Sequence, residues 1–352
     1  LDTVWLQLPT ASTIVAVADA DRDGLQQAKV RLGRVPGFDD YREMLARTDP
    51  DVVAVCPRHA DQHHAMILAA IENGARGVYC EKPLCRNLEE VDALLAASKQ
   101  HGVKIAVGHR NRYHPTLKVI DALIAAGELG RILELRGRGK GDRRGGCEDM
   151  WVLGSHVFNM FQYFAGPPLR CTAVLKRDGR AVTPTDVVEG NEGLGPMAGN
   201  EVHARFDHPN GLTSYFDSLA DEETDGQAFG LQIVGSRGVV DIKLDRDPLA
   251  YMLPGNPWAA KTSGSSWLSI TSAGVNKPET DPRIPRLIER HDISALDLIN
   301  AIHADRAPLC DVSEAAMTIE MIHGVLASHT RAGQSVEIPL NHRSHPLKSW
   351  TA

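Results

Sequence analysis

The chain has 352 residues, of which 43% are hydrophobic and 24% charged, the balance of a soluble globular protein long enough for two domains. A net charge of −7 argues against a general nucleic-acid binder, and no apolar run approaches the ~20 residues that would span a membrane. The six cysteines, at 56, 80, 85, 147, 171 and 310, are dispersed and form no Cys-x-x-Cys pair, which predicts reduced thiols and a cytoplasmic setting.

The chain opens Leu1-Asp2-Thr3, with neither an initiator methionine nor a secretory signal, and residues 2–8 read as the tail of a helix. Residues 13–19 form a β-branched run ending in an acid, the pattern of a buried parallel strand. A helix follows at 21–33 with Leu25, Ala28 and Leu32 on one face, and Asp39-Asp40 lead into a short helix at 41–47. Residues 51–57 are a second buried strand, stopped at Cys56-Pro57, and the helix at 61–73 carries His63 and closes at Asn73-Gly74. Gly77-Val78-Tyr79-Cys80 is a short buried strand that ends abruptly in Glu81-Lys82-Pro83. A helix at 88–101 and a strand at 103–108 complete the series. Strands alternating with helices of this length predict an α/β fold with a Rossmann-type, doubly wound parallel sheet.

Ligands of such sheets bind at the carboxyl ends of the strands. Asp19 ends a strand there, where an acid accepts hydrogen bonds from adenosine ribose hydroxyls and suggests NAD over NADP; Arg22, three residues on, would soften that preference. The competing reading is that Asp19 only caps the following helix. Pro83 biases Lys82 towards an extended backbone, aiming its amine outward to hold a substrate hydroxyl or a cofactor ribose, with Glu81 to fix its position. The competing reading there is a solvated charge pair at an ordinary strand exit. A Gly-x-Gly-x-x-Gly turn, the usual pyrophosphate cradle, does not precede Asp19: none of the 18 residues before it is glycine. With no initiator methionine, the expectation is that a first strand and its loop are missing from this chain.

After Gly108 the pattern changes, so a dinucleotide-binding domain at 1–108 and a substrate and oligomerisation domain at 109–352 are expected. Residues 109–115 are a cationic loop, 117–126 a helix, and 131–138 a half-exposed strand. The glycine-rich loop at 137–146 carries Lys140, Arg143 and Arg144, which suit a hydroxyl-rich or carboxylated substrate or are merely solvated. Residues 151–164 have helical apolar spacing and carry His156 and Asn159. Short alternating segments from 170 to 280 predict a large, mostly antiparallel open sheet, with 188–199 as a mobile loop; helices at 295–305 and 314–328 follow. The second domain is thus α+β.

These motifs, in this order, resemble the Gfo/Idh/MocA oxidoreductases, NAD(P)-dependent enzymes acting on sugars, inositols and their derivatives, over nearly the whole chain. The resemblance rests on Glu81-Lys82-Pro83, the proline-stopped strand at 52–57 with His63 after it, Asp19, the loop Asn111-Arg112-Tyr113-His114-Pro115, and the glycine-flanked histidine in Leu153-Gly154-Ser155-His156-Val157-Phe158-Asn159. It implies a sugar or polyol dehydrogenase in which His156 is the base and Lys82 stabilises charge on the same oxygen. Asp19, Arg22, Cys56, Pro57, His63, Glu81, Lys82 and Arg112 would then line the cofactor, and Tyr113, Lys140, Arg144, Asp149, Trp151 and Asn159 the substrate. Trp151 could stack on a sugar face or anchor its helix, and Asp149 could orient His156 or cap that helix.

Two departures open other readings. Val152 and Asn159 stand where many sugar dehydrogenases of the family carry aspartates, which admits an NAD-recycling glycosidase or lyase working by transient oxidation and elimination. The missing phosphate loop admits a cofactor-free sugar-binding protein or scaffold. His109, His114, Cys147 and His156 match no zinc spacing, so no metal is expected. The open face of a large antiparallel sheet suggests a homodimer or homotetramer.

Overall fold

The computed structural model describes residues 4–8, 10–259 and 266–350. In chain order the elements are β1 (Val17–Ala18), α1 (Arg22–Arg31), β2 (Gly37–Phe38), α2 (Tyr41–Thr48), β3 (Val52–Val55), α3 (His63–Glu72), β4 (Gly77–Cys80), α4 (Leu88–His101), β5 (Lys104–Val107), α5 (Thr116–Ala125) and β6 (Ile132–Arg138). They continue with α6 (Cys147–Asp149), α7 (Ser155–Ala165), β7 (Arg170–Arg177), β8 (Arg180–Ala181), β9 (Val188–Glu189), β10 (Pro196–Met197), β11 (Glu201–Asp207) and β12 (Thr213–Leu219). The last are β13 (Gly230–Gly235), β14 (Gly238–Lys243), β15 (Ala250–Pro254), β16 (Leu268–Thr271), β17 (Gly274–Val275), α8 (Ile284–Glu289), α9 (Asp292–His303), α10 (Val312–Thr330) and β18 (Val336–Glu337).

Two compact units form. The first takes the residues up to Arg110 together with Arg286–Ala316, the second Asn111–Pro285 with the residues from Met317 onward. The return of 286–316 to the first unit carries no signal in the sequence, because its partners lie some two hundred residues away. Tyr79 Oη is 2.6 Å from Ser294 Oγ and 2.8 Å from His291 Nδ1, and Ala295, Leu298 and Ile299 share one apolar core with Trp5, Tyr79 and Ala106. Gly77 permits that contact: a Cβ there would lie 2.5 Å from Ile302 Cδ1.

In the first unit β3, β4 and β5 make a parallel sheet in that order, with Val53 opposite Val78 and Val78 opposite Ile105. All four residues of β4 are buried. The run at 13–19 departs from its expected burial. Only Val17–Ala18 is paired, in parallel with β2, and Val15 is 47% exposed, because this strand has a neighbour on one edge only. Asp21 caps α1 by accepting from the amides of Asp23 and Gly24, and the Asn87 side chain accepts from Glu90 N to start α4.

The second unit is built on an eleven-stranded sheet, ordered β17-β16-β15-β14-β13-β6-β12-β11-β7-β18 with β8 beside β7. The β6–β12 pair is parallel and its other pairs are antiparallel. Phe158 of α7 packs edge-on to Phe216 and Phe206, at ring separations of 4.8 and 5.3 Å, so the inward residues of β11 and β12 alternate with outward polar ones. On the outward side His203 lies between the carboxylates of Glu201 and Asp217. The segment 188–199, expected as a mobile loop, folds as a β9–β10 ribbon that buries Leu194 and Met197.

Burial lowers His114 and His345 to about 4. In the unfolded chain both would take up a proton near pH 6.5; in the folded chain they do so only near 4. The unfolded state therefore binds more protons between these values, and the stability present above pH 6.5 falls as the pH drops towards about 4. Urea unfolding across this range should show that decline, with a slope shallower by about one proton in His345→Gln. An unchanged slope would contradict the burial of His345.

Candidate active site

The first unit assembles its site at the carboxyl ends of the parallel strands. Glu81 leaves β4 with its amide donating to Val55 O at 2.9 Å, so the exit is still tied to β3. Its carboxylate turns back to accept from Lys82 N at 2.8 Å. The two strand exits, Cys56-Pro57 and Lys82-Pro83, are joined by His63. This residue is fully buried, with Nε2 2.9 Å from Pro57 O and Nδ1 2.8 Å from Pro83 O. A neutral imidazole donates to one of these carbonyls at a time. Both ring nitrogens face backbone, so His63 serves the site as the clasp between two loops and not as a cofactor contact.

Asp19 divides its two carboxylate oxygens. Oδ1 accepts from Asp21 N at 2.9 Å and so supports the start of α1. Oδ2 has no hydrogen-bond partner among the described residues, and the bare Gly24 leaves room beside it, since a Cβ there would come within 2.8 Å. A strand-end acid with one uncommitted oxygen suits a ribose diol. Arg22 opens α1 and is exposed, and Cys56 is partly exposed.

His291 lies beside this edge, where the sequence marked no candidate. It sits at positive φ before α9, held by Tyr79, and its Cε1 would be 3.3 Å from a Cβ on Gly108. Burial above all, then the charges of Arg110 and Lys82, lower it to about 3. It is thus a neutral imidazole within the field of the Lys82 ammonium.

The second unit places His156 in the first turn of α7, after a π-helical stretch at Met150–Gly154. Such widened turns recur at functional sites. Asp149 stands just before it, fully buried. Oδ2 accepts from Ser218 Oγ at 2.6 Å and Lys140 N at 3.0 Å, while Oδ1 has no hydrogen-bond partner among the described residues. Burial raises this carboxyl to about 6, against the pull of those two donors. It makes no capping bond, which removes that alternative.

Several substrate-side expectations change. Trp151 is fully buried, edge-on to His323 at 5.8 Å, so it anchors its segment and presents no face to a sugar. Arg144 is bound to Asp142 through Nε at 3.2 Å and Nη2 at 2.7 Å, clamping its own loop. The glycine-rich loop is packed: a Cβ on Gly139 would lie 1.9 Å from Asp149 Oδ2. Lys140 Nζ, by contrast, makes no ion pair among the described residues and remains a candidate for substrate. Arg112 is buried, donating to Asn159 O at 3.0 Å and lying 4.8 Å over the Tyr163 ring, and Tyr113 is buried beside it in sequence. No group of three or more His, Cys, Asp or Glu side chains fit to hold a metal occurs among the described residues.

The sequence profile of an oxidoreductase family with an NAD-binding Rossmann fold matches residues 3–109, and that of the same family's C-terminal alpha/beta domain matches 122–338. The chain belongs to the Gfo/Idh/MocA oxidoreductases. Levoglucosan dehydrogenase of Pseudarthrobacter phenanthrenivorans is 24% identical over 317 residues, 78% of each chain. Myo-inositol 2-dehydrogenase of Thermotoga maritima is 27% identical over 131 residues, 37% of this chain and 39% of that one. The first curated relatives are matched over only 26–39% of their own length. Among solved structures, levoglucosan dehydrogenase with NADH and L-sorbose superposes with a TM-score of 0.76 at 18% identity, covering 96% of this chain and 95% of that one. An NAD-binding oxidoreductase from Klebsiella pneumoniae gives 0.72 at 19% identity, covering 96% and 93%. Likeness at such identity is one of fold.

For this family member two measurements check the site. Replacing His63 with alanine removes the donor that one of these carbonyls uses and should cost about 1–3 kcal/mol in urea unfolding; a loss below the error would contradict the clasp. In protein carrying 13C-labelled aspartate, one carboxyl should titrate near pH 6 and vanish in Asp149→Asn. Its absence from the wild type would contradict the buried, half-bonded carboxyl.

Proposed function

We propose that this oxidoreductase moves a hydride between a secondary alcohol of a sugar or polyol and NAD. The observation that carries the reading is Lys82, fixed by Glu81 and the His63 clasp at the carboxyl end of a buried parallel strand, in a chain of this family. Relatives named for levoglucosan and myo-inositol support the substrate class. The cofactor, when bound, supplies a hydride acceptor. Asp19 Oδ2 would hold the ribose hydroxyls, and Glu81 and Pro57 belong to the edge over which the dinucleotide would lie.

Lys82 is assigned to the alcohol oxygen, where an ammonium stabilises the negative charge that develops as the hydroxyl proton departs and that is discharged into the new carbonyl bond as the hydride leaves carbon with its electron pair. His156 is assigned to the proton of that hydroxyl. Lys140 is assigned to the substrate's remaining hydroxyls, since its amine is uncommitted. Asp149, with its carboxyl near 6, sits close in sequence to His156 and gives the second unit a group that changes charge near neutrality.

The test is NADH formation from NAD with a panel of polyols and sugars that includes myo-inositol and levoglucosan. Turnover should appear with at least one of them, and Lys82→Met should lower kcat about a hundredfold to a thousandfold while leaving the unfolding curve unchanged. His156→Asn should cost a comparable about 10²–10⁴-fold. Undiminished turnover in Lys82→Met would overturn the assignment. Release of sugar from an aryl glycoside with no net NADH would replace it with the elimination reaction.

A further inference from the structure

His291, beside the exit of β4, is a neutral imidazole to which the proposed hydride transfer gives no task. Its place before α9 is fixed by two buried hydroxyls. Ser294 Oγ is 2.9 Å from His291 O and 2.6 Å from Tyr79 Oη, and Tyr79 Oη is 2.8 Å from His291 Nδ1. Each hydroxyl has one proton to donate. Burial pushes the Tyr79 phenol well up, so its proton stays in place.

The count of protons fixes their order. A carbonyl oxygen only accepts, so Ser294 gives its proton to His291 O. Ser294 Oγ must then accept from Tyr79, and Tyr79 Oη in turn must accept from His291. All three bonds form together only when the imidazole carries its proton on Nδ1. That leaves Nε2 as a bare lone pair, with no hydrogen-bond partner among the described residues.

Nε2 is bonded to Cε1, and Cε1 lies at the strand exits. A Cβ on Gly108 would be 3.3 Å from His291 Cε1 and 3.5 Å from both Cys80 O and Glu81 Oε2. The bare Gly108 thus lets the imidazole edge, the end of β4 and the Glu81 carboxylate meet, one residue before Lys82. Glu81 Oε2 is bonded to Lys82 N, which sets the root of the lysine there. A four-carbon stem springing from that root reaches back to the imidazole. The charged groups around the ring are Lys82, Glu81 and Arg110, and Arg110 Nη1 donates to Glu289 O at 3.2 Å.

We propose that His291 is a positioning residue for Lys82: its Nε2 lone pair accepts from the Lys82 ammonium and steers that group at the exit of β4. A neutral acceptor suits the task. A carboxylate would offset the ammonium's charge, whereas an imidazole orients it and leaves the charge for the alcohol oxygen. Burial above all lowers His291 to about 3, so it accepts the hydrogen bond without taking the proton. The ammonium keeps two further donors for substrate. The contact itself depends only on the first unit; its use in catalysis rests on the hydride-transfer reading.

The first test reads the imidazole directly, in protein carrying 15N-labelled histidine. The His291 signals are those that vanish in His291→Asn. Nδ1 should be protonated and Nε2 bare, and Tyr79→Phe should move the proton to Nε2, since Nδ1–H then has no acceptor. Lys82→Met should shift the Nε2 resonance and leave Nδ1 protonated. A protonated Nε2 in the wild type, or the same Nε2 resonance with and without Lys82, would overturn the proposal.

The second test reads turnover. Asparagine tolerates the positive φ and keeps an amide donor for Tyr79, but sets nothing at Nε2; glutamine sets an oxygen there. His291→Asn should lower kcat about tenfold to a hundredfold with KM and the urea midpoint unchanged, and should cost nothing further in Lys82→Met. His291→Gln should regain part of that loss. Undiminished kcat in His291→Asn, or a loss confined to KM, would overturn the steering. The expected 15N pattern with no turnover of any alcohol would uphold the contact and count against the hydride-transfer reading.

Discussion

The site depends on one buried imidazole. His63 reaches a carbonyl after β3 with one ring nitrogen and a carbonyl after β4 with the other, so two strand exits cannot move apart without exposing a polar group to an apolar surrounding. Everything proposed for Lys82 follows from that restraint. Its amide is held by the Glu81 carboxylate, and the amide of Glu81 is held by Val55 O, so the backbone from which the lysine side chain springs is fixed at the exit. The restraint lies in the first unit and needs nothing from the second.

Much of this fold could be read from the sequence where local patterning and burial agree. The strand at 77–80 and the helix at 88–101 fall where β-formers between breakers and the Asn87 and Gly102 caps place them. The alternating stretch from 170 to 280 supplies most strands of the large sheet, because one face of that sheet is packed on Phe158 and its neighbours while the other carries charge. The places of Asp19 and Lys82 after strands, and of His156 on a helix, were legible from the same patterning.

Other features escaped because their cause is not local. His63 looked like a cofactor residue; that both its nitrogens meet backbone depends on where two separate loops end. Trp151 and Arg144 looked available for substrate, but one is enclosed by His323 from a distant helix and the other is taken by Asp142, two residues away. The glycines of 139–146 suggest freedom, whereas Gly139 is small because Asp149 occupies the space a side chain would need. His291 joins the site through contacts more than two hundred residues away in sequence, with no motif to mark it.

The central claim is that the carboxyl edge bearing Asp19 and Lys82 receives NAD. The most direct measurement is a fluorescence titration of NADH and NADPH against the wild type and Asp19→Ala. Saturable NADH binding, stronger than that of NADPH and weakened about tenfold or more in Asp19→Ala, is the predicted result, since a charged hydrogen bond to a ribose hydroxyl is lost. NADH binding of equal strength in both proteins, or none in either, would contradict it.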